Sequence, residues 1–318
     1  MKTKNVLALA ALATIGITAC SNEEDLQFPD MKDVPITYTA GISELSTSTR
    51  ITDAERLLNR DISLFVETEG TTDDKYTAYN MKLHKGEDGK WAPGHELLWK
   101  DNKSEVTYYA FMPHAPLRGD FPEDPVASID IRLNQTNTTM RDNDFCYAAV
   151  KKTTATENAG TINLKFKHVL SKLTVKLQTA KPTIEVQNLK IDTWPYTAGF
   201  ALKSGVMNVA YVHTSLGLWK KDSLLFEGLL VPNPSDDRGV QSPLDFTIII
   251  EAKNTTSQEV KKYKYVSPKP LVFESGKKYE MTLKIRNDND TDAVEQVTLG
   301  SITAEPWEST KEETLVID

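Results

Sequence analysis

The run TINLKFKHVLSKLTVKL, from Thr161 to Leu177, limits the fold more than any other part of the chain. Ile162, Leu164, Phe166 and Leu170 share the even phase, with His168 between the last two, whereas Leu173, Val175 and Leu177 share the odd phase. Successive side chains of a strand point to opposite faces, so an uninterrupted strand would turn one half of this apolar set to solvent. A break, or the extra residue of a bulge, is therefore predicted near Ser171 and Lys172. Period-two alternation recurs elsewhere: Ile36, Tyr38, Ala40 and Ile42; Ile62, Leu64 and Val66; Tyr79, Met81 and Leu83; Ile129, Ile131 and Leu133. In the second half Leu244, Phe246, Ile248 and Ile250 alternate, as do Tyr279, Met281, Leu283 and Ile285. Short strands between Gly, Pro, Asn and Asp clusters, with little helical periodicity, predict an all-β protein of antiparallel sandwiches. One short helix is expected at Thr52, with Glu55 at capping-box spacing. Pro182 cannot continue a central ladder, which puts a boundary near Ala180–Lys181–Pro182 and two domains at about 34–180 and 181–318.

The N-terminus carries Lys2 and Lys4 and then a nearly unbroken apolar or small run from Val6 to Ala19. That pattern reads as a secretory signal, too short to remain as a spanning helix of about 20 residues. Ile17-Thr18-Ala19 followed by Cys20 looks like a bacterial lipobox, in which a thiol is required because diacylglycerol is attached through sulfur. Residues 1–19 are then the signal peptide, Cys20 the lipidation site, and 20–33 a flexible tether. The acidic SNEED after Ala19-Cys20 resembles a signal, in some Gram-negative anaerobes, for export to the outer face of the outer membrane; a solvated tether is its plainer reading. The net charge of −8 does not suit nucleic-acid binding, where clustered Lys and Arg supply affinity. No later segment reaches transmembrane length, so attachment to the membrane falls to Cys20. With Cys20 lipidated, Cys146 has no intramolecular partner, and it is read as a buried, inert thiol in NDFCYAAV.

No catalytic constellation emerges, so the chain is not expected to be an enzyme, and neither cofactor nor metal is implied. His84, His95, His114, His168 and His213 are scattered without metal-ligand spacing, and HExxH, P-loop and GxSxG motifs are missing. His168 is read as a hydrogen-bonded core histidine. Arg118-Gly119-Asp120 spells the integrin-binding tripeptide, although a Gly-Asp turn between prolines explains it adequately. Asp222-Ser223-Leu224 fits either a turn or a short O-glycosylation pattern of gut anaerobes.

Several segments in order resemble the fimbrillin-like (type V pilin) family of Gram-negative anaerobes. They are RDISLFVE at Arg60, VTYYAFMPH near Tyr108, DNDFCYAA near Phe145, LKFKHVLSKLTVKL from Leu164, LLVPN near Pro232, FESGKKYEMTLKI near Gly276, and ITAEPW ending at Trp307. The resemblance implies two transthyretin-like β-sandwich domains in tandem and a lipoprotein precursor assembled into a surface fimbrium that serves cell adhesion. In shaft subunits of that family a trypsin-like, Arg-specific protease cuts beyond the first strand, which leaves, and a neighbour's strand fills the groove. Carried onto this chain, the displaced strand holds Ile36, Tyr38, Ala40 and Ile42, and cleavage falls at Arg50, with Arg56 and Arg60 as alternatives. Donor candidates are Val297 and Leu299, and Leu315, Val316 and Ile317 at the apolar end; the plainer reading of that end is the last strand of its own domain. The implied partners are other pilus subunits, the outer membrane through Cys20 and the protease. A lipid-retaining anchor or a tip subunit is the alternative within the family. A glycan-binding surface lipoprotein using Trp91, Trp99, Trp194, Trp219 or Trp307 is the alternative outside it.

Overall fold

The structure, a computed structural model, describes residues 29–42, 60–117, 124–179, 183–207, 212–233, 242–285 and 297–307. The first strands are β1 (Thr37–Ile42), β2 (Ile62–Thr68), β3 (Ala78–Lys85), β4 (Trp91–Pro93), β5 (Val106–Met112) and β6 (Val126–Asp130). Helix α1 (Asn137–Asn143) precedes β7 (Cys146–Thr153), β8 (Thr161–His168) and β9 (Ser171–Thr179). Next come β10 (Ile184–Ala201), β11 (Val206–Met207), β12 (Val212–Gly217), β13 (Trp219–Asp222) and β14 (Leu225–Leu230). The series ends with β15 (Thr247–Asn254), β16 (Val260–Val266), β17 (Lys277–Ile285) and β18 (Val297–Pro306).

These strands form three sheets. The first has the order β1-β8-β7-β5-β2-β3-β4; the second runs β11-β10-β15-β16, with β12 and β6 also on β10; the third runs β13-β14-β9-β17-β18. Most pairings are antiparallel, as the alternation predicts, but β1 lies parallel to β8 and β17 parallel to β9. The first sheet curls so that β1 touches β4. Just ahead of β1, Ile36 N–H donates to Leu97 O (2.8 Å) and Trp99 N–H donates to Val34 O (2.9 Å). Inside the curl lies one core, built on Ile62, Leu64, Leu83, Trp99, Ile162, Leu164 and Phe166. A second core fills the space between the other two sheets, with Leu189, Trp194 and Ile250 on one side and Val175, Phe226 and Met281 on the other. Phe65, Tyr109 and Phe111 on the opposite face of the first sheet join this second core. β2 and β5 are therefore buried on both faces.

The phase change is resolved by a break rather than a bulge. β8 ends at His168 and β9 starts at Ser171, so the chain leaves the first sheet for the third across Val169 and Leu170. Even-phase Ile162, Leu164 and Phe166 belong to one core, odd-phase Leu173, Val175 and Leu177 to the other. The turn 274–276 clasps the break: Ser275 Oγ donates to Val169 O (2.8 Å) and Gly276 N–H to Leu170 O (3.1 Å). Gly276 has φ +67°, and a Cβ there would meet His168 O at 3.0 Å, so only glycine suits the position. The predicted domain boundary at 180–182 lies outside the described residues.

Two strand patterns depart from expectation. Tyr79, in phase with Met81 and Leu83, is 40% exposed, because β3 carries one more residue than β2 between the pairs Leu64↔Met81 and Val66↔Ala78. Asn80, at φ +49°, absorbs the extra residue, so Ala78 takes the core position expected of Tyr79. Leu133 is 40% exposed because β6 ends at Asp130. Helix α1 has no apolar periodicity to announce it, and only Met140 of its residues is buried. Its N-cap is Thr136, whose hydroxyl accepts from Thr139 N–H (3.1 Å) while the Thr139 hydroxyl accepts from Thr136 N–H (2.8 Å). Thr139 thus fills the place a Glu or Gln usually takes in a capping box. The helix expected at Thr52 lies outside the described residues.

Candidate functional site

The two strands singled out by sequence, β1 and β18, both lie at sheet ends. β1 pairs with β8 from Thr37↔Thr161 to Ile42↔Phe166 and stands last in its sheet. Its even phase points into the curl: Ile36, Tyr38, Ala40 and Ile42 are 5–9% exposed and pack in the core of Ile162, Leu164 and Phe166. Burying one such Ile is worth about 1.5–3 kcal/mol. On the other face Thr37 Oγ1 lies 2.6 Å from Thr161 Oγ1; inside the core Trp99 Nε1 donates to Gly160 O (3.0 Å), pinning the turn that leads into β8. One group fits poorly. The Tyr38 hydroxyl is buried with no hydrogen-bond partner among the described residues, and burial pushes its pKa up. An unsatisfied buried polar group costs about 1–3 kcal/mol. β1 is thus a well-filled plug with one unpaid polar atom.

β18 hangs antiparallel on β17 at the end of the third sheet. Between Ser301↔Thr282 and Leu299↔Leu283 it carries one additional residue, so Leu299 and Ile302 share the face of Leu283 and Met281. Met281 and Leu283 are fully buried, yet Leu299 is 39% and Ile302 36% exposed. The sheet's core-side face therefore runs past the material that covers it. Ser301, Thr303, Ala304 and Glu305 are exposed as well. Val297 pairs with Ile285 at the start of this strand. Trp307 closes the segment: its N–H donates to Gly276 O (2.7 Å), and its ring stacks on His168 at 4.1 Å and 2°.

Cys20, Arg50, Arg56, Leu315, Val316 and Ile317 lie outside the described residues, as does the tripeptide Arg118–Asp120. Arg60 is half-buried; burial lowers its guanidinium pKa against the pull of Asp144, and its Nη1 donates to Asp144 O (3.3 Å). Its side chain is thereby tied to the residue that precedes β7 by two positions. Ser223 is exposed in the turn from β13 to β14, its N–H donating to the Asp222 carboxylate (2.7 Å). Trp99 and Trp194 are fully buried, and Trp91, Trp219 and Trp307 are partly covered, so none of the five tryptophans stands fully open.

Two histidines hydrogen-bond to neighbouring side chains: His114 Nδ1 lies 2.8 Å from Ser63 Oγ and His84 Nδ1 2.7 Å from Asp61 Oδ1. His168 stands in richer company. Its Nδ1 is 3.0 Å from Asp144 Oδ1 and 3.6 Å from Cys146 Sγ. Cys146 is fully buried, as its neighbours Phe145 and Tyr147 suggested. The cluster arises from register, since Cys146 and His168 are cross-strand partners of β7 and β8 and Asp144 precedes β7 by two residues. The separation of 22 residues hid this grouping; only the hairpin register could have exposed it.

A family model described as fimbrillin-like matches residues 49–307. Among solved structures, a protein of Bacteroides ovatus assigned provisionally to cell adhesion aligns with a TM-score of 0.61 at 18% identity, covering 88% of this chain and 99% of its own. One from Bacteroides uniformis, likewise assigned, aligns at 0.57 and 16% identity over 86% and 99%. A third, from Parabacteroides distasonis, aligns at 0.51 and 10% identity over 89% and 99%. Likenesses this distant establish the fold. No curated protein sequence matches the chain.

Proposed function

The chain belongs to the fimbrillin-like family, and from that premise we propose that it is a non-enzymatic subunit of a surface pilus serving adhesion, assembled by strand exchange. It is exported as a lipoprotein through Cys20, is cut after Arg50 by an Arg-specific protease, and loses β1. The observation that carries this reading is the state of β1: paired on one side by β8, with its whole inner face seated in the core. Loss of such a strand uncovers the β8 ladder and opens the cavity held by Ile36, Tyr38, Ala40 and Ile42. An unpaired edge beside an open core is a template for another chain's strand. The donor is a neighbour's C-terminal segment, from Val297 and Leu299 in β18 to Leu315, Val316 and Ile317. A division into two transthyretin-like domains near residue 180 belongs to the same proposal.

One observation favours a retained first strand. The lead-in Val34–Ile36 is tied to Leu97–Trp99 on the side away from β8. A subunit that keeps both lipid and β1 would anchor the pilus in the outer membrane. Arg-specific proteolysis of the purified chain separates the cases. A shaft subunit yields a new N-terminus at Ile51 and ladders that resist SDS without boiling. A cleaved product that remains monomeric at high concentration contradicts assembly by exchange. Palmitate label on the assembled mature form marks the anchor.

A further inference from the structure

We propose that Asp144, Cys146 and His168 bind one divalent metal ion of the zinc type. Three kinds of donor converge: a carboxylate oxygen, a thiol sulfur and an imidazole nitrogen, with all three ligand atoms within 4.8 Å of one another. Zinc takes thiolate at about 2.3 Å and nitrogen or oxygen at about 2.0–2.1 Å; in a tetrahedron these bonds put S and N about 3.6 Å apart and N and O about 3.3 Å apart. The observed separations are 3.6 Å for Cys146 Sγ to His168 Nδ1 and 3.0 Å for His168 Nδ1 to Asp144 Oδ1. His168 thus stands within a few tenths of an ångström of metal-ligand spacing from both partners, and Cys146 Sγ and the Asp144 carboxylate lie within 4.8 Å of each other. The mixed S, N, O set selects a borderline ion over calcium or magnesium, which prefer oxygen alone.

The surroundings support the same reading. The His168 and Asp144 side chains are only 10% and 8% exposed, so their positions are held by packing rather than by solvent. Trp307 covers the face of the imidazole, not its edge, because the two rings are parallel within 2°. The Nδ1 edge, which lies in the ring plane, faces Asp144 and Cys146, and it becomes a metal donor when its proton passes to Nε2. Binding breaks the Cys146 S–H bond, forms the metal–sulfur bond and releases the proton to water. A dication with one thiolate and one carboxylate is locally neutral, and the charge of Arg60 nearby is met by Asp142 at 3.7 Å. A water completes the fourth position. Filled in this way, the site fastens the start of β7 to the end of β8 next to the break between the sheets, under the residue that closes β18.

The test uses the full chain with Cys20→Ser, so that Cys146 is the one thiol, titrated with Co2+ and then Zn2+. Co2+ is expected to bind at one equivalent with a thiolate-to-cobalt absorption in the near ultraviolet, and to quench part of the tryptophan emission; Zn2+ displaces it and raises Tm. Replacing Trp307→Phe should remove the quenching and keep the absorption. Cys146→Ser should abolish the absorption and weaken Zn2+ binding at least about tenfold. Absence of a saturable one-to-one Co2+ spectrum in the chain with Cys146 intact overturns the proposal, whatever the variants do. So does Zn2+ binding that Cys146→Ser leaves unchanged.

Discussion

The two terminal strands are both edges, yet they are built in opposite ways. β1 is short, lies parallel to its neighbour and buries every inward side chain. β18 has ten residues, lies antiparallel to β17, and leaves Leu299 and Ile302 open although their register partners are fully buried. Edge strands normally avoid presenting apolar surface. The contrast teaches that the first strand supplies core that its sheet cannot do without, whereas the last carries apolar side chains that its own sandwich does not consume. The first strand is thus fully seated, and the last leaves Leu299 and Ile302 partly open.

The contrast can be broken most easily by cavities. Phe166→Ala, on β8 beneath β1, should lower unfolding free energy by about 3–5 kcal/mol, and Ile42→Ala by about 2–5 kcal/mol, both read by urea denaturation of the uncleaved chain. Values near zero would mean that β1 is not seated. Next comes a response to acid in the sheet that carries β18. Burial raises the pKa of Glu227 on β14, but Lys172 and Lys221, at 3.2 and 2.7 Å, outweigh it and leave the folded value below the ordinary 4.5. The resulting stability is present above the unfolded pKa and is lost as pH falls through the folded one. Unfolding at pH 6 and pH 3.5 should show the loss, and Glu227→Gln should flatten it. Tyr38→Phe removes the unsatisfied hydroxyl and should be neutral or stabilising by up to about 1 kcal/mol; a clear loss would reveal a hidden partner. Smallest in the intact subunit is Leu299→Lys, within about 0.5 kcal/mol. In the cleaved protein the same change should shorten the ladder if β18 takes part in donation.

Sequence alone exposed the parts whose physics is local. Alternation at Ile162–Phe166 and Leu173–Leu177 placed two strands, and their clash of phase placed the break within two residues. It also marked β1 with its inward Tyr38, Ala40 and Ile42, and Ile36 just ahead of it. What it could not show depends on partners distant in the chain. Tyr79 left its expected face because of an inserted residue against β2, which no pattern within β3 announces. Thr136 and Thr139 cap a helix through two hydroxyls, a variant of the usual box that a search for Glu or Gln passes over. The parallel pairing of β1 with β8 joins residues more than a hundred positions apart. Asp144, Cys146 and His168 meet only because β7 and β8 pair in one register out of several.

In the proposed assembly β8 needs a partner strand, and a neighbour's strand can take the place of β1. Amide hydrogen exchange along Thr161–Phe166 tests it directly in three samples: the intact chain, the chain freshly cleaved after Arg50 and kept dilute, and the assembled product. Exchange should be slow in the first, fast in the second and slow again in the third. Slow exchange throughout, with the cleaved chain still monomeric, would contradict it.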